Sequence, residues 1–231
     1  EGAGIKDINI VVGHKANQVV EHVKNGNNKI KFCYQESQLG TGHAVMQAKD
    51  NIDDDDLVLV INGDQPLISS KTIKSMISFC EQGNYGGVVL SGIVDHPGSL
   101  GRVIRDGKGN LNRIVERKDC NEDEERVKEV NIGVYCFNGK LLKESFSKLD
   151  DNNAQNEYYI TDIPVHIKNA GYNFGVCTIA DMSEFQGINS REELSLATCT
   201  LLNKTRKLHM SNGVTLIDPS STYISIDAKI G

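Results

Sequence analysis

No apolar run in this chain is long enough to cross a bilayer: stretches such as Leu57 to Ile61 and Val88 to Leu90 fall far short of the roughly 20 residues that a membrane helix needs. Basic residues are not in excess either. With 25 Lys and Arg against 31 Asp and Glu, the formal net charge is -6, which argues against a general nucleic-acid binder with its clustered cations. The six cysteines (Cys33, Cys80, Cys120, Cys136, Cys177 and Cys199) include no C-x-x-C pair, and the opening Glu1-Gly2-Ala3-Gly4 does not read as a secretory leader. Buried free thiols of a cytoplasmic protein are therefore expected, not a disulfide framework. The six histidines show no metal-ligand spacing, which argues against a zinc site. What remains is an ordinary globular composition, 39% hydrophobic and 24% charged, too apolar for a disordered chain.

Through the first half, short apolar strands alternate with amphipathic helices. Strands are expected at Ile8 to Val12, Ile30 to Tyr34 and Leu57 to Ile61, with helices near Ala16 to Val23, near Gly42 to Ala48 and from Ser70. In the last of these, Ile73, Met76, Ile77 and Cys80 recur at i, i+3, i+4 and i+7, the spacing of one buried helical face. This rhythm predicts a mainly parallel sheet with helices on both faces. The second half reads as an α+β insertion, with strands near Gly87 to Val94, Val103 to Ile104, Arg113 to Glu116, Asn131 to Phe137 and Phe174 to Ile179. Asp53 to Asp56 and Glu122 to Arg126 are charge runs and read as solvated turns.

Towards the end, Ser190-Arg191-Glu192-Glu193 has the pattern of a capping box, and Leu194, Ala197, Leu201 and Leu208 fall on one stripe of the helix that would follow. From Thr222 to Gly231 the spacing resembles the first turn of a hexapeptide β-helix, a fold that needs about three or more repeats for stability. The first βαβ unit of a doubly wound sheet, with its glycine-rich phosphate turn, has no counterpart before Ile8. The sequence therefore reads as an internal fragment.

Two turns carry the chemistry. Gln35 to Ala44 (Gln-Glu-Ser-Gln-Leu-Gly-Thr-Gly-His-Ala) follows one strand, and Asn62-Gly63-Asp64-Gln65-Pro66-Leu67 follows another, where ligands bind in open α/β sheets. Five further segments stand in order behind them: Leu100 to Ile104, Ile114 to Asp119, Glu129 to Gly133, Asn152 to Asp162 and Gly187 to Arg191. Together these seven motifs resemble the bacterial bifunctional N-acetylglucosamine-1-phosphate uridylyltransferases and glucosamine-1-phosphate acetyltransferases, the GlmU family, across nearly the whole chain.

The resemblance implies a Rossmann-like α/β nucleotidyltransferase domain over residues 1–189, truncated at its start. A linker helix over 190–212 and the beginning of a left-handed β-helical acetyltransferase domain over 213–231 would follow. It implies transfer of the uridylyl group of UTP to N-acetylglucosamine 1-phosphate with release of pyrophosphate. That nucleophile is already an anion, so no general base is required. Bringing two anions together calls instead for a metal, backbone N–H groups and cations.

In the family pattern, Asp64 and Asn189 bind Mg²⁺, a hard cation that keeps water and phosphate in its remaining positions. Gln35, Gly40 and Thr41 would read the base, the Gln35 amide donating and accepting at once; Asn62 and Gly63 belong to the same substrate loop as Asp64. Gly101, Glu116, Asn131, Tyr159 and Thr161 would surround the sugar phosphate, and His43 would shape its turn. Asn156 stands where the family commonly has glycine, a position an asparagine can hold in the left-handed region. The family's glycine-rich loop, with its arginine and lysine, is not in this sequence, so the fragment alone is expected to be inactive. The intact protein would also use acetyl-CoA, form a trimer and supply precursors for peptidoglycan and lipopolysaccharide. Two other readings stand beside this one: a different sugar-1-phosphate nucleotidylyltransferase, and a non-catalytic regulatory module of the same fold, as in eukaryotic translation-initiation exchange factor subunits.

Overall fold

The structure, a computed structural model, describes residues 2–24 and 30–231. The chain forms two compact units, one of Glu1–Ile61 with Ser70–Ala180, the other of Asn62–Ser69 with Asp181–Gly231.

In the first unit, β1 (Ile8–Val12), α1 (Ala16–Lys24) and β2 (Ile30–Tyr34) form a βαβ unit. The two strands pair in parallel, with Ile8 opposite Ile30 and Val12 opposite Tyr34. After α2 (Thr41–Met46), β3 (Leu57–Val60) and α3 (Ser70–Gln82), the chain enters a second sheet. Helix α3 buries Met76 and Cys80, two residues of the apolar face that the sequence periodicity marks. The next strands are β4 (Gly87–Ile93), β5 (Arg102–Arg105), β6 (Leu111–Val115), β7 (Glu129–Asn138) and β8 (Phe174–Thr178). Their order is β6-β5-β7-β4-β8, with β3 also on β7. Val88, Val89 and Leu90 of β4 and Tyr135, Cys136 and Phe137 of β7 are fully buried, each large side chain stabilising the fold by about 1.5–3 kcal/mol.

This sheet is mixed, which corrects the expectation of a mainly parallel one. Strands β4 and β8 run parallel, but β7 is antiparallel to β3, β4 and β5. The hydrophobic pattern of a strand buried on both faces is the same in either direction, so orientation is decided by connection path, which apolar runs do not encode.

Three short helices were not visible as such in the sequence. Helix α4 (Glu122–Glu125) replaces the expected solvated turn: Asn121 and Glu124 form a reciprocal capping box, and Glu124 is buried against Arg113, Oε1 accepting from Nε at 3.2 Å. Helices α5 (Gly139–Phe146) and α6 (Ile163–Asn169) complete the unit. Their apolar residues Leu142, Ile163 and Ile167 are buried in the main core. The acidic run ahead of β3 does remain at the surface, with Asp54 paired to Lys143 at 2.6 Å.

The second unit is built on α7 (Arg191–Ser211). Ser190 caps it as its sequence predicts, accepting from the Glu193 N–H while Glu193 accepts from the Ser190 N–H. Of the expected stripe only Ala197 is buried; Leu194, Leu201 and Leu208 are 51%, 38% and 60% exposed. Beyond Gly213 the described residues form turns, with Arg206 donating to the Thr222 carbonyl at 2.6 Å. The cysteines are free thiols; Cys33, Cys80 and Cys136 are buried as expected, whereas Cys120 and Cys177 are half-buried and Cys199 is exposed.

Candidate functional site

The turn after β2 is fixed by the segment around Tyr158. Leu39 carbonyl accepts from Tyr158 N–H at 2.8 Å, Tyr158 carbonyl accepts from Gly42 N–H at 2.7 Å, and Thr41 Oγ1 accepts from Ile160 N–H at 3.1 Å. Gly40 sits at φ +110°, and a Cβ there would lie 2.6 Å from the Tyr158 carbonyl oxygen, a space that only glycine fits.

Gln35 folds over this turn. Its Nε2 donates to the Gly40 carbonyl at 3.2 Å and lies 2.9 Å from His43 Nδ1. A carbonyl can only accept, so the amide nitrogen is the end facing inward. The amide nitrogen is turned to the Gly40 carbonyl and the His43 ring, and Oε1 is the other edge of Gln35. The His43 ring lies between the Gln35 and Gln47 side chains, 2.9 Å from one amide nitrogen and 3.3 Å from the other.

A second cluster gathers at the ends of β5, β6 and β7. A Cβ placed on Gly101 would lie 3.4 Å from Glu116 Oε2 and 3.6 Å from Asn131 Cβ, so the three residues converge. Thr161 Oγ1 donates to Glu116 Oε1 at 3.3 Å. Burial pushes the Glu116 carboxyl above its usual range, and the negative charges of Asp119, Asp162 and Glu157 add to this against the opposing Thr161 bond. Tyr159 is buried at 5% exposure, with its hydroxyl beside the Gln155 and Asp119 side chains, and burial pushes its phenol upward. Asn156, in the same loop, has φ +54°, the left-handed conformation expected of an asparagine in place of glycine. Gly133, which closes the Glu129 to Gly133 motif, and Tyr135, which reads in the sequence as strand core, hold the Asn131 amide.

The second unit contains Asn62, Gly63, Asp64 and Asn189. Ile188 N–H donates to the Asp64 carbonyl at 2.9 Å, which brings the two distant segments together. The point where a Gly187 Cβ would sit is 3.4 Å from Asp64 Oδ2 and 3.8 Å from Asn189 Nδ2. The two side-chain heads therefore converge, and both residues are exposed. Glu193 orders the approach to α7 by accepting from Asn189 N–H at 2.6 Å. Beside them an open depression of about 370 Å³ is lined by Ile188, Asn189, Ser190, Arg191 and Leu194. Among the described residues no cluster of three or more His, Cys, Asp or Glu is placed to hold a metal. The group nearest Asp64 is the Asn189 amide nitrogen, so a hard cation, which takes oxygen ligands and keeps most of its water, would be held by the Asp64 carboxylate with the Asn189 amide turned to present its oxygen; one carboxylate and one amide do not make a zinc cage.

This fold and these clusters define a class. Residues 1–181 match the family model described as "Nucleotidyl transferase", and the solved structures agree with it at the level of fold. A putative glucose-1-phosphate thymidylyltransferase from Bacillus anthracis superposes with a TM-score of 0.66 over 94% of this chain and 81% of its own, at 19% identity. HddC from Yersinia pseudotuberculosis gives 0.61 over 84% and 78%, also at 19%.

Curated relatives narrow the class. Proteins named "Bifunctional protein GlmU" are 43% identical in Acetivibrio thermocellus, over 100% of this chain and 50% of theirs, and 42% identical in Clostridioides difficile, over 99% and 49%. The chain belongs to the GlmU family. It spans about half the length of the curated relatives it matches.

Proposed function

We propose that this chain is the uridylyltransferase part of a longer bifunctional protein, and that it joins UTP to N-acetylglucosamine 1-phosphate, forming UDP-N-acetylglucosamine and pyrophosphate. The observation that carries the reading is the convergence of Asp64 and Asn189 beside Gly187. These are the residues expected to hold Mg²⁺, which when bound would screen the phosphates and stabilise charge on the transferring group.

The residues of this chain supply recognition and alignment. Gln35 presents Oε1 to a base N–H, beside the Gly40 turn that the Tyr158 backbone holds in place. Glu116, desolvated and accepting from Thr161, is an acceptor for sugar hydroxyls. Asn131 and the Tyr159 hydroxyl offer further polar groups. Such fixed partners discriminate because a substrate lacking the matching group leaves them unpaired. In the full-length protein, acetyl-CoA-dependent acetylation of glucosamine 1-phosphate, trimer formation through a β-helix starting after 213 and a cytoplasmic role in cell-wall precursor supply complete the proposal.

The test is pyrophosphate release by the full-length protein with UTP, TTP or GTP against N-acetylglucosamine 1-phosphate or glucose 1-phosphate. Preference for UTP and the acetamido sugar is expected. A preference for thymidine or guanosine nucleotides would reject the substrate assignment, and absence of turnover with every pair would favour a regulatory module.

A further inference from the structure

Tyr135 has the character of a core residue: it is fully buried, and its ring stacks on Phe137 with centroids 5.4 Å apart. Its hydroxyl does something more specific. Along the β4–β7 ladder, Val89 faces Tyr135 while Ser91 faces Asn131, so β7 uses two more residues than β4 over this stretch. Gly133 lies in that bulge at φ +80°, a conformation suited to glycine. In an unbroken strand, residues four apart would be about 13 Å apart along the axis. The bulge shortens this path, and Asn131 Nδ2 donates to Tyr135 Oη at 2.8 Å.

The other end of the same amide is tethered too, with Oδ1 accepting from the Gly133 N–H at 2.9 Å. A backbone N–H can only donate, so this contact identifies the oxygen end, and the nitrogen is the end that meets Tyr135. Asn131 is thus held at both ends, with one N–H and one lone pair left over. Its backbone N–H donates to the Gly101 carbonyl at 2.9 Å, which ties it to the position packed against Glu116. Burial and the nearby Glu116 charge push the Tyr135 phenol far upward, so the hydroxyl stays neutral.

We propose that Tyr135 is a positioning residue that fixes the Asn131 amide so that its free N–H and lone pair face the sugar phosphate. This rests on the functional reading above, in which Asn131 contacts that substrate.

Tyr135→Phe keeps the ring and removes the hydroxyl. In the full-length protein it is expected to raise KM for N-acetylglucosamine 1-phosphate by about threefold to tenfold, the range of one hydrogen bond. KM for UTP and kcat should stay within about twofold of wild type, a split that mere loosening of the core would not produce. On an Asn131→Ala background the same change should add nothing to the sugar KM, because the group it positions is gone. An unchanged sugar KM in Tyr135→Phe, a parallel rise in both KM values, or an equal effect on the Asn131→Ala background would overturn the proposal. If the wild type instead prefers another hexose phosphate, the substrate assignment fails separately, while the same split measured on that sugar still supports Tyr135.

Discussion

Gly40→Ala is the sharpest test of how the base-reading turn is built. At φ +110° and ψ 175° an alanine is in a region populated essentially by glycine, at a cost of about 1–3 kcal/mol. The new methyl would also meet Tyr158 O at 2.6 Å and Tyr158 N at 2.9 Å. Both are backbone atoms, so no side-chain rotation relieves the contact. Separating the segments far enough would break Gly42 N–H to Tyr158 O or Tyr158 N–H to Leu39 O, each worth about 1 kcal/mol. A total near 3 kcal/mol follows, which is about 1 M in urea midpoint for a slope of about 3 kcal/mol per M. Gln35, whose amide rests on the Gly40 carbonyl, should shift as well and weaken UTP binding. Gly107→Ala serves as the control, because nothing lies within 4 Å of its Cβ position, and a change within about 0.5 kcal/mol is expected. If Gly40→Ala unfolded at the wild-type midpoint and bound UTP unchanged, the tight apposition of the turn to Tyr158 would be wrong.

Two further outcomes concern stability. Burial, with help from Asp150 and Asp119, raises the Asp162 carboxyl to about 6, so the folded state holds this proton more tightly than the unfolded one, and stability falls as pH rises from about 4 to about 6. Asp162→Asn should therefore flatten that part of the stability profile and, after discounting for solvent screening, gain about 1 kcal/mol at pH 7.5, as read by urea unfolding at several pH values; a variant less stable at pH 7.5 would contradict it. Glu124→Ala removes both the reciprocal cap on Asn121 and the bond to Arg113, and should cost about 1–2 kcal/mol by the same measurement, whereas a solvated turn would lose almost nothing.

Much of the first unit is legible in the sequence because its strands are short apolar runs and its helices carry one apolar face. Ile8 to Val12 and Ile30 to Tyr34 have the bounds their sequence predicts, and Ser190 and Glu193 announce their capping box by spacing alone. Asn121 and Glu124 have the same spacing, yet the surrounding acidic residues disguise it as a charge run. The direction of β7 was not legible, since Glu129–Asn138 would bury the same side chains either way. Within the candidate site, residue types and order point to Asp64, Asn189, Glu116 and Asn131, but the link between Asn131 and Tyr135 depends on a bulge. No periodicity reports a bulge in advance. The inward turn of the Gln35 amide likewise depends on the three-dimensional place of His43.

The account stands most directly on whether Asp64 and Asn189 share one divalent ion. Mn²⁺, a paramagnetic stand-in for Mg²⁺, can be titrated into the full-length protein with UTP present and followed by electron paramagnetic resonance. Wild type is expected to bind one Mn²⁺ that both Asp64→Ala and Asn189→Ala weaken by tenfold or more, on the order of the loss seen when groups supporting a metal are removed. Equal Mn²⁺ affinity in the wild type and either variant would contradict the shared site.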